Sequence, residues 1–291
     1  MRVSFAALTD VGCVRRNNED AFLVADLASA ARCQAPPDDC AGAADTEGGG
    51  LLVAVADGMG GALAGEVAAS MAIEALRKCA DQLKADSDSA DMAQAVDDAI
   101  REANSAIYEA SQKDSRLRGM GTTLTVAFLR DKRVGFYQVG DSRGFVVRNG
   151  AMRQMTKDHS LIGRLIDDKV ISPADAERME GGKNIILQAL GAEASVHVDY
   201  SEASLGDGDL ILLCTDGLHG CVKQAELDEL VGNADDCEVL CKKLVEAARQ
   251  AGGPDNISVV GVAVESGGAE DVPNDPLGKA GRALRRWLKR D

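Results

Sequence analysis

Apolar residues recur along this chain in two rhythms, and the switches between them predict its elements. Residues 3–9 and 21–25 read as strands. Residues 51–56 form an unbroken run, Leu-Leu-Val-Ala-Val-Ala, of the kind a strand buried on both faces carries. Helical spacing follows over 62–83, with Val67, Met71 and Ala75 on one face, and over 92–111, with Val96, Ile100, Ala103 and Ile107. From residue 121 strands return at 121–129, 134–139 and 145–148, the last leading into Asn149-Gly150, a strong hairpin turn. Further strands are expected at 185–190, 196–200, 210–214 and 257–264, and helices at 224–231 and 236–250.

Three stretches break the pattern. Residues 28–50 are rich in Ala, Gly, Asp and Pro without a period, and read as a long mobile loop. Residues 158–191 open a helical excursion from the sheet. There Asp158 is placed to cap a short helix carrying Leu161, Ile162, Leu165 and Ile166, and Ser172-Pro173-Ala174-Asp175 starts another. Residues 266–276 are a Gly, Asp and Pro-rich linker into 277–291. That tail sets six basic side chains against one acid, with Leu277, Ala280, Leu284, Trp287 and Leu288 at helical spacing. A basic amphipathic helix suits an anionic membrane, an acidic partner or its own acidic body.

Charge narrows the function. With 32 basic and 47 acidic residues among 291, the formal net charge is −15, which argues against nonspecific nucleic-acid binding. The eight cysteines form no C-x-x-C pair. Cys237 and Cys241 share a helix face, but a soft-metal site there lacks further ligands. No signal-like leader and no apolar segment of membrane length is present, so a reducing cytoplasm with free thiols is expected.

Candidate chemistry lies where strands end. Asp57-Gly58 closes the run 51–56, and Asp216-Gly217 closes 210–214 in the same way. Asp141 sits in Gly140-Asp141-Ser142-Arg143 and Asp255 in Gly253-Pro254-Asp255-Asn256. Each is an ordinary turn aspartate taken alone. If the strand ends converge, four carboxylates repel one another and a divalent cation, or two, resolves the conflict. Two such ions can ionise a water for attack on a phosphate ester, with Arg15 able to clamp the phosphate oxygens. Arg15 and Arg16 beside Glu19 and Asp20 also fit a plain salt-bridged loop.

The ordered strings TDVGCVRRNNEDAF, LLVAVADGMGGALAGEVAAS, GMGTTLTVA, GDSR, TKDHSL, NIILQALG, LLCTDGL and GGPDNISVV cover about residues 5–264. In them the chain resembles the metal-dependent Ser/Thr protein phosphatases of the type 2C class, in their bacterial single-domain form. The resemblance implies an α+β fold: a four-layer α/β/β/α sandwich with two central antiparallel sheets flanked by helix pairs, over a catalytic domain 1–265 with a flap at 158–183. It implies Mn²⁺ or Mg²⁺, two ions with a weaker third. Asp57 would bridge the two ions, the Gly58 carbonyl would bind one, and Asp216 and Asp255 would complete the other. Glu19 and Asp20 would hold metal-bound waters, and Asp141 with Asp216 would form the third site. Arg15 would hold the phosphate, Thr122 and Thr123 would line the floor, and Asn256 and Ser142 would support the ligands. The expected activity is hydrolysis of phosphoserine and phosphothreonine in proteins by in-line attack of a metal-bridging hydroxide. Such a monomeric enzyme would oppose a Ser/Thr kinase. One departure stands out. The family's histidine after the Asp-Gly or DGMGG string is replaced here by Met59 and Ala62. General acid help is worth roughly 10²–10⁴-fold, so its loss would slow alkyl more than aryl phosphates. It also leaves open a pseudophosphatase that binds phosphopeptides without turnover. His159 is a second candidate acid, or a capping or packing residue.

Overall fold

The computed structural model describes residues 1–265 apart from 30–31, 36–38, 61–63, 84–87, 173–174, 177–178, 180–181, 183–184 and 235. The 266–291 linker and tail and Ala62 therefore lie outside the described residues, as does part of the second flap helix.

Two antiparallel sheets stack face to face. The first runs β10 (Ala151–Gln154), β9 (Arg143–Arg148), β12 (Leu210–Cys214), β13 (Ile257–Val264), β1 (Arg2–Asp10), β4 (Cys40–Asp45). The second runs β11 (Asp199–Ser204), β8 (Arg133–Val139), β7 (Leu124–Arg130), β5 (Leu51–Met59), β2 (Asp20–Asp26), β3 (Arg32–Ala35), with the short β6 (Gly121–Thr122) paired to the end of β5. Helices α1 (Ala64–Gln82) and α2 (Ser89–Lys113) cover the outer face of the second sheet. On the first sheet lie α5 (Gln224–Gly232) and α6 (Cys237–Gln250), beside a four-residue helix α4 (Asp216–His219). A short α3 (Leu161–Asp167) stands off the sheets.

Strand periodicity builds the layers. In β5, Val53 and Val55 point into the core between the sheets, while Leu52 and Ala54 point out against α1 and α2. Both faces are covered, which is why that run is apolar without alternation. On the other sheet Val260 and Val262 face inward, and Leu212 and Val259 pack under Leu240, Cys241 and Leu244 of α6. Cys237 and Cys241 are core residues. A Cβ on Gly261 would stand 2.7 Å from the Cys237 Sγ and 3.0 Å from the Cys241 Sγ. Asn149 and Gly150 both take positive φ, 52° and 77°, the hairpin turn their sequence demanded.

Several expectations are corrected. Residues 28–50 are not one mobile loop, because they contain β3 and β4, each an edge strand. Edge strands bury little, so they need no apolar rhythm; β3 is held by β2, and β4 by β1. Nor are all cysteines free. Cys33 in β3 and Cys40 in β4 form a disulfide, with Cα atoms 6.4 Å apart, that joins the two sheets at one edge. The run at 185–190 forms isolated bridges at Ile186 and Leu190 instead of a strand, with Ile185 and Leu187 about half exposed. The strand expected at 196–200 is β11, shifted to Asp199–Ser204. Ser160, not Asp158, caps α3, its hydroxyl accepting the Gly163 N–H at 3.1 Å.

Candidate metal centre

Five acidic side chains meet at one end of the sandwich. β2 and β5 place Asp20 directly opposite Asp57, two like charges across an antiparallel ladder. Asp57 lies inside β5, since that strand continues through Met59 with Gly58 opposite Thr122. Asp216 opens α4 where β12 ends. Burial raises the Asp57 carboxyl well above its usual range, and the charges of Asp20, Asp216, Asp255 and Asp141 raise it further. Asp216 is raised by burial and by Asp255, while a hydrogen bond with the Asp57 carboxyl offsets part of the rise. Burial lifts Asp20 to about 7, against hydrogen bonds from Ser258 and Thr215, with Asp216 and Asp255 adding to the rise. Asp141 also reaches about 7 through burial and then Asp216.

The surrounding main chain is held tightly. Thr122 and Thr123, expected on the floor, are fully buried beneath Asp57. The Thr123 hydroxyl accepts the Asp57 N–H at 3.0 Å and pairs with the Ser142 hydroxyl at 2.8 Å. The Thr122 hydroxyl and the Thr123 N–H both donate to the Asp57 carbonyl, at 2.9 Å each. Gly58 is required by close approach, as a Cβ there would stand 2.3 Å from the Gly65 carbonyl oxygen and 2.7 Å from that of Glu19. The Glu19 carboxylate lies over Gly65 in the first turn of α1. Its carboxyl is raised by burial, with Arg15 opposing the rise.

Arg15 donates to the Asp255 carboxylate at 2.6 Å with half its side chain exposed. The Asn256 main-chain N–H donates to Asp255 Oδ1 at 2.9 Å. Its side chain works elsewhere. Oδ1 accepts the Glu19 N–H at 2.8 Å, and Nδ2 donates to the carbonyls of Val11 and Asn17 at 3.0 and 2.9 Å. Asn256 thus clamps the Arg15 loop against the end of β13 as well as contacting Asp255.

Other supports were not anticipated. Thr215 donates to Asp20 Oδ2 at 2.8 Å. Gln138 Nε2 donates to the carbonyls of Gly140 and Ser142 at 2.9 and 2.8 Å, bracketing Asp141. The Arg143 guanidinium grips Asp158 at 2.7 and 3.1 Å, tying the GDSR turn to the DHS stretch. His219 donates from Nε2 to the Asp141 carbonyl at 3.1 Å; burial pushes its pKa down to about 3, with Arg143 adding to the fall, so the ring is neutral. Thr215, His219, Arg143 and Asp158 lie in or beside the quoted strings. Gln138 gave no signal, because its role depends on the turn it faces.

Among the described residues no three His, Cys, Asp or Glu side chains form a ready-made metal-holding group. The carboxylates are paired off instead, Asp57 with Asp216 and Asp255 with Arg15. The donor set still fits hard divalent cations. Asp20, Asp141 and Asp216 each keep one buried carboxylate oxygen without a hydrogen-bond partner. Three orphaned carboxyl oxygens in one buried cluster are costly unless a cation meets them.

The chain is similar to known proteins in sequence and in fold. A family model described as Protein phosphatase 2C matches residues 28–257. The serine/threonine phosphatase Stp of Listeria innocua is 37% identical over 209 residues, 72% of this chain and 82% of that protein. Serine/threonine protein phosphatase PstP of Mycobacterium tuberculosis is 35% identical over 257 residues; the match takes in 88% of this chain and 44% of that protein's length. The crystal structure of the PstP catalytic domain in complex with two manganese ions superposes with a TM-score of 0.73 at 34% identity, covering 91% of this chain and all of that one.

Proposed function

The chain belongs to the protein phosphatase 2C family, and from that premise we propose how its own residues divide the work of a metal-dependent serine/threonine protein phosphatase. Asp57, the Gly58 carbonyl, Asp216 and Asp255 would hold two divalent ions. Glu19 and Asp20 would orient water around them, and Asp141 with Asp216 would hold a weaker third ion. Manganese is the expected metal, since a relative binds two manganese ions, and magnesium would serve the same oxygen donors. The ions supply Lewis-acid charge and a nucleophilic water at neutral pH. Arg15, half exposed at the rim, swings from Asp255 to the phosphate oxygens, which its planar fork of donors suits. Asn256 and Ser142 keep Asp255 and the Asp141 turn in place.

The substrates are phosphorylated proteins, and the enzyme opposes a Ser/Thr kinase of the same cell. It acts in the cytoplasm as a monomer; among the described residues no helix is long and apolar enough to cross a membrane. The 277–291 tail contacts an anionic membrane or an acidic partner.

The meeting of Asp20, Asp57, Asp141, Asp216 and Asp255, three of them with orphaned oxygens, carries this reading. It is tested by manganese-dependent hydrolysis of para-nitrophenyl phosphate and of a phosphothreonine peptide. Turnover of both, lost in Asp216→Asn, is expected. Binding of the peptide without turnover of either would favour the pseudophosphatase, which the relatives do not support.

A further inference from the structure

The proposed acid role of His159 fails on geometry, and what replaces it is informative. His159 lies between the Asp141 turn and the 185–190 stretch. Its main-chain N–H donates to the Gly140 carbonyl at 2.8 Å, and its Nδ1 accepts the Gly140 N–H at 3.2 Å. One residue therefore grips both polar groups of the residue before Asp141. Gln188 Nε2 also donates to Nδ1, at 3.0 Å. With Nδ1 accepting, the ring proton is on Nε2, which donates to Asp199 Oδ2 at 3.0 Å. The other Asp199 oxygen meets His197 Nε2 at 2.9 Å. The His159 carbonyl accepts the Leu187 N–H at 2.7 Å. Both ring nitrogens are spent on the protein, and neither is free for a leaving group.

We propose that His159 is a positioning residue: it holds the Gly140–Asp141 turn at the geometry a cation at Asp141 requires and ties that turn to the segment around Leu187 and Gln188. The inference rests on the reading of Asp141 as a metal ligand. Gly140 has φ +101°, and a Cβ there would stand 2.6 Å from Thr123 Cβ, so the turn has one packed position and little freedom to adjust alone. Gln138 fixes it from beneath and His219 from the Asp141 carbonyl. The remaining partner of the Gly140 N–H is His159 Nδ1. Partners one step removed from a metal ligand commonly change metal affinity roughly 10–100-fold.

Two near-isosteres separate the two arms of the ring. Asparagine at 159 can put an acceptor oxygen near the Nδ1 position and keeps the Gly140 contact while losing Asp199. Glutamine reaches toward Asp199 and loses the side-chain contact to the Gly140 N–H. Manganese binding is followed by electron paramagnetic resonance without substrate, and melting temperature reports folding. His159→Gln is expected to weaken the weakest class of manganese sites by about 10-fold, leaving the tighter classes and the KM for phosphopeptide unchanged. His159→Asn should stay within about 2-fold of wild type by the same reasoning. Equal behaviour of the two variants, or an isotherm unchanged in His159→Gln, overturns the proposal. Asp141→Asn separates the premise from the inference. If it leaves the isotherm unchanged, Asp141 is not a ligand; if it weakens binding and His159→Gln does not, His159 does not position it. Should His159→Gln fail to fold, Asp199→Ala tests the same ring. A smaller weakening of that class supports the proposal, and none overturns it.

Discussion

Leu51–Met59 and the stretch running from Leu210 through α4 carry the same sequence device, an apolar run closed by Asp and Gly, and they fold differently. In the first, the strand continues through Gly58 and Met59 because β6 supplies pairing partners, Thr122 and Gly121. In the second, the ladder stops at Cys214, the Thr215 N–H is taken by the Ser258 carbonyl, and Asp216 begins a helix closed by Gly220 donating back to the Asp216 carbonyl at 2.7 Å. The glycines serve different approaches. Gly58 makes room for the main chain of Glu19 and Gly65, and Gly217 for the Asn256 carbonyl, which a Cβ would meet at 1.8 Å. Yet the two aspartates, one from each sheet, arrive in hydrogen-bonding contact. An apolar run ending in Asp-Gly marks where a carboxylate leaves the core; the neighbouring strand decides what backbone carries it there.

The largest effect should come from cutting each arm of this pair. Asp57→Asn and Asp216→Asn should each lower manganese-dependent turnover beyond the roughly 10–100-fold typical of losing a residue that only orients a metal ligand. In chelator, both should melt higher than wild type, because each removes a buried, repelled carboxyl. A melting temperature that falls would mean the pair stabilises the metal-free fold. The glycines come next. Gly217→Ala should destabilise by about 3 kcal/mol and Gly58→Ala by about 2 kcal/mol, the range of overpacking against main chain. Urea unfolding ranks them, and a larger loss for Gly58→Ala would reverse the order of the two approaches.

A smaller effect concerns pH. Asp20 and Asp141 are raised by burial from 3.8 to about 7. Between those values the folded chain keeps protons that the unfolded chain has released, so these groups lower stability as pH rises through that window. In chelator, Asp141→Asn should therefore gain on wild type from pH 4 to pH 7, followed by thermal melts; a constant difference would remove Asp141 from the titrating cluster. The effect on turnover should be smallest at the far edge of the sandwich. Cys33→Ser with Cys40→Ser should cost about 2 kcal/mol of stability, as for a short disulfide loop, and leave kcat unchanged.

Much of this was readable in the chain itself. The final strand falls at 257–264 as the pattern placed it, and Asp236 caps α6 through the Val239 N–H. Other parts were hidden for identifiable reasons. β3 and β4 bury so little that hydropathy is silent about them. In the 185–190 run Ile185 and Leu187 are half exposed and pairing is confined to isolated bridges, so apolarity there did not mean strand. Thr122 and Thr123 hydrogen-bond the Asp57 main chain, a contact that no sequence motif announces.

By itself, the sequence determined the strands of both sheets that bury two faces, the helix pairs that cover them and the identity of the acidic residues. Burial period and residue chemistry are local properties of the chain, so a single strand or helix displays them. Only the tertiary structure decided that Asp20 lies across from Asp57 and that Asp57 touches Asp216. It also decided that Arg15 reaches Asp255 and that Cys33 and Cys40 close the sheet edge. Those pairings join residues far apart in sequence, and their distances depend on sheet register and stacking, which no local pattern encodes.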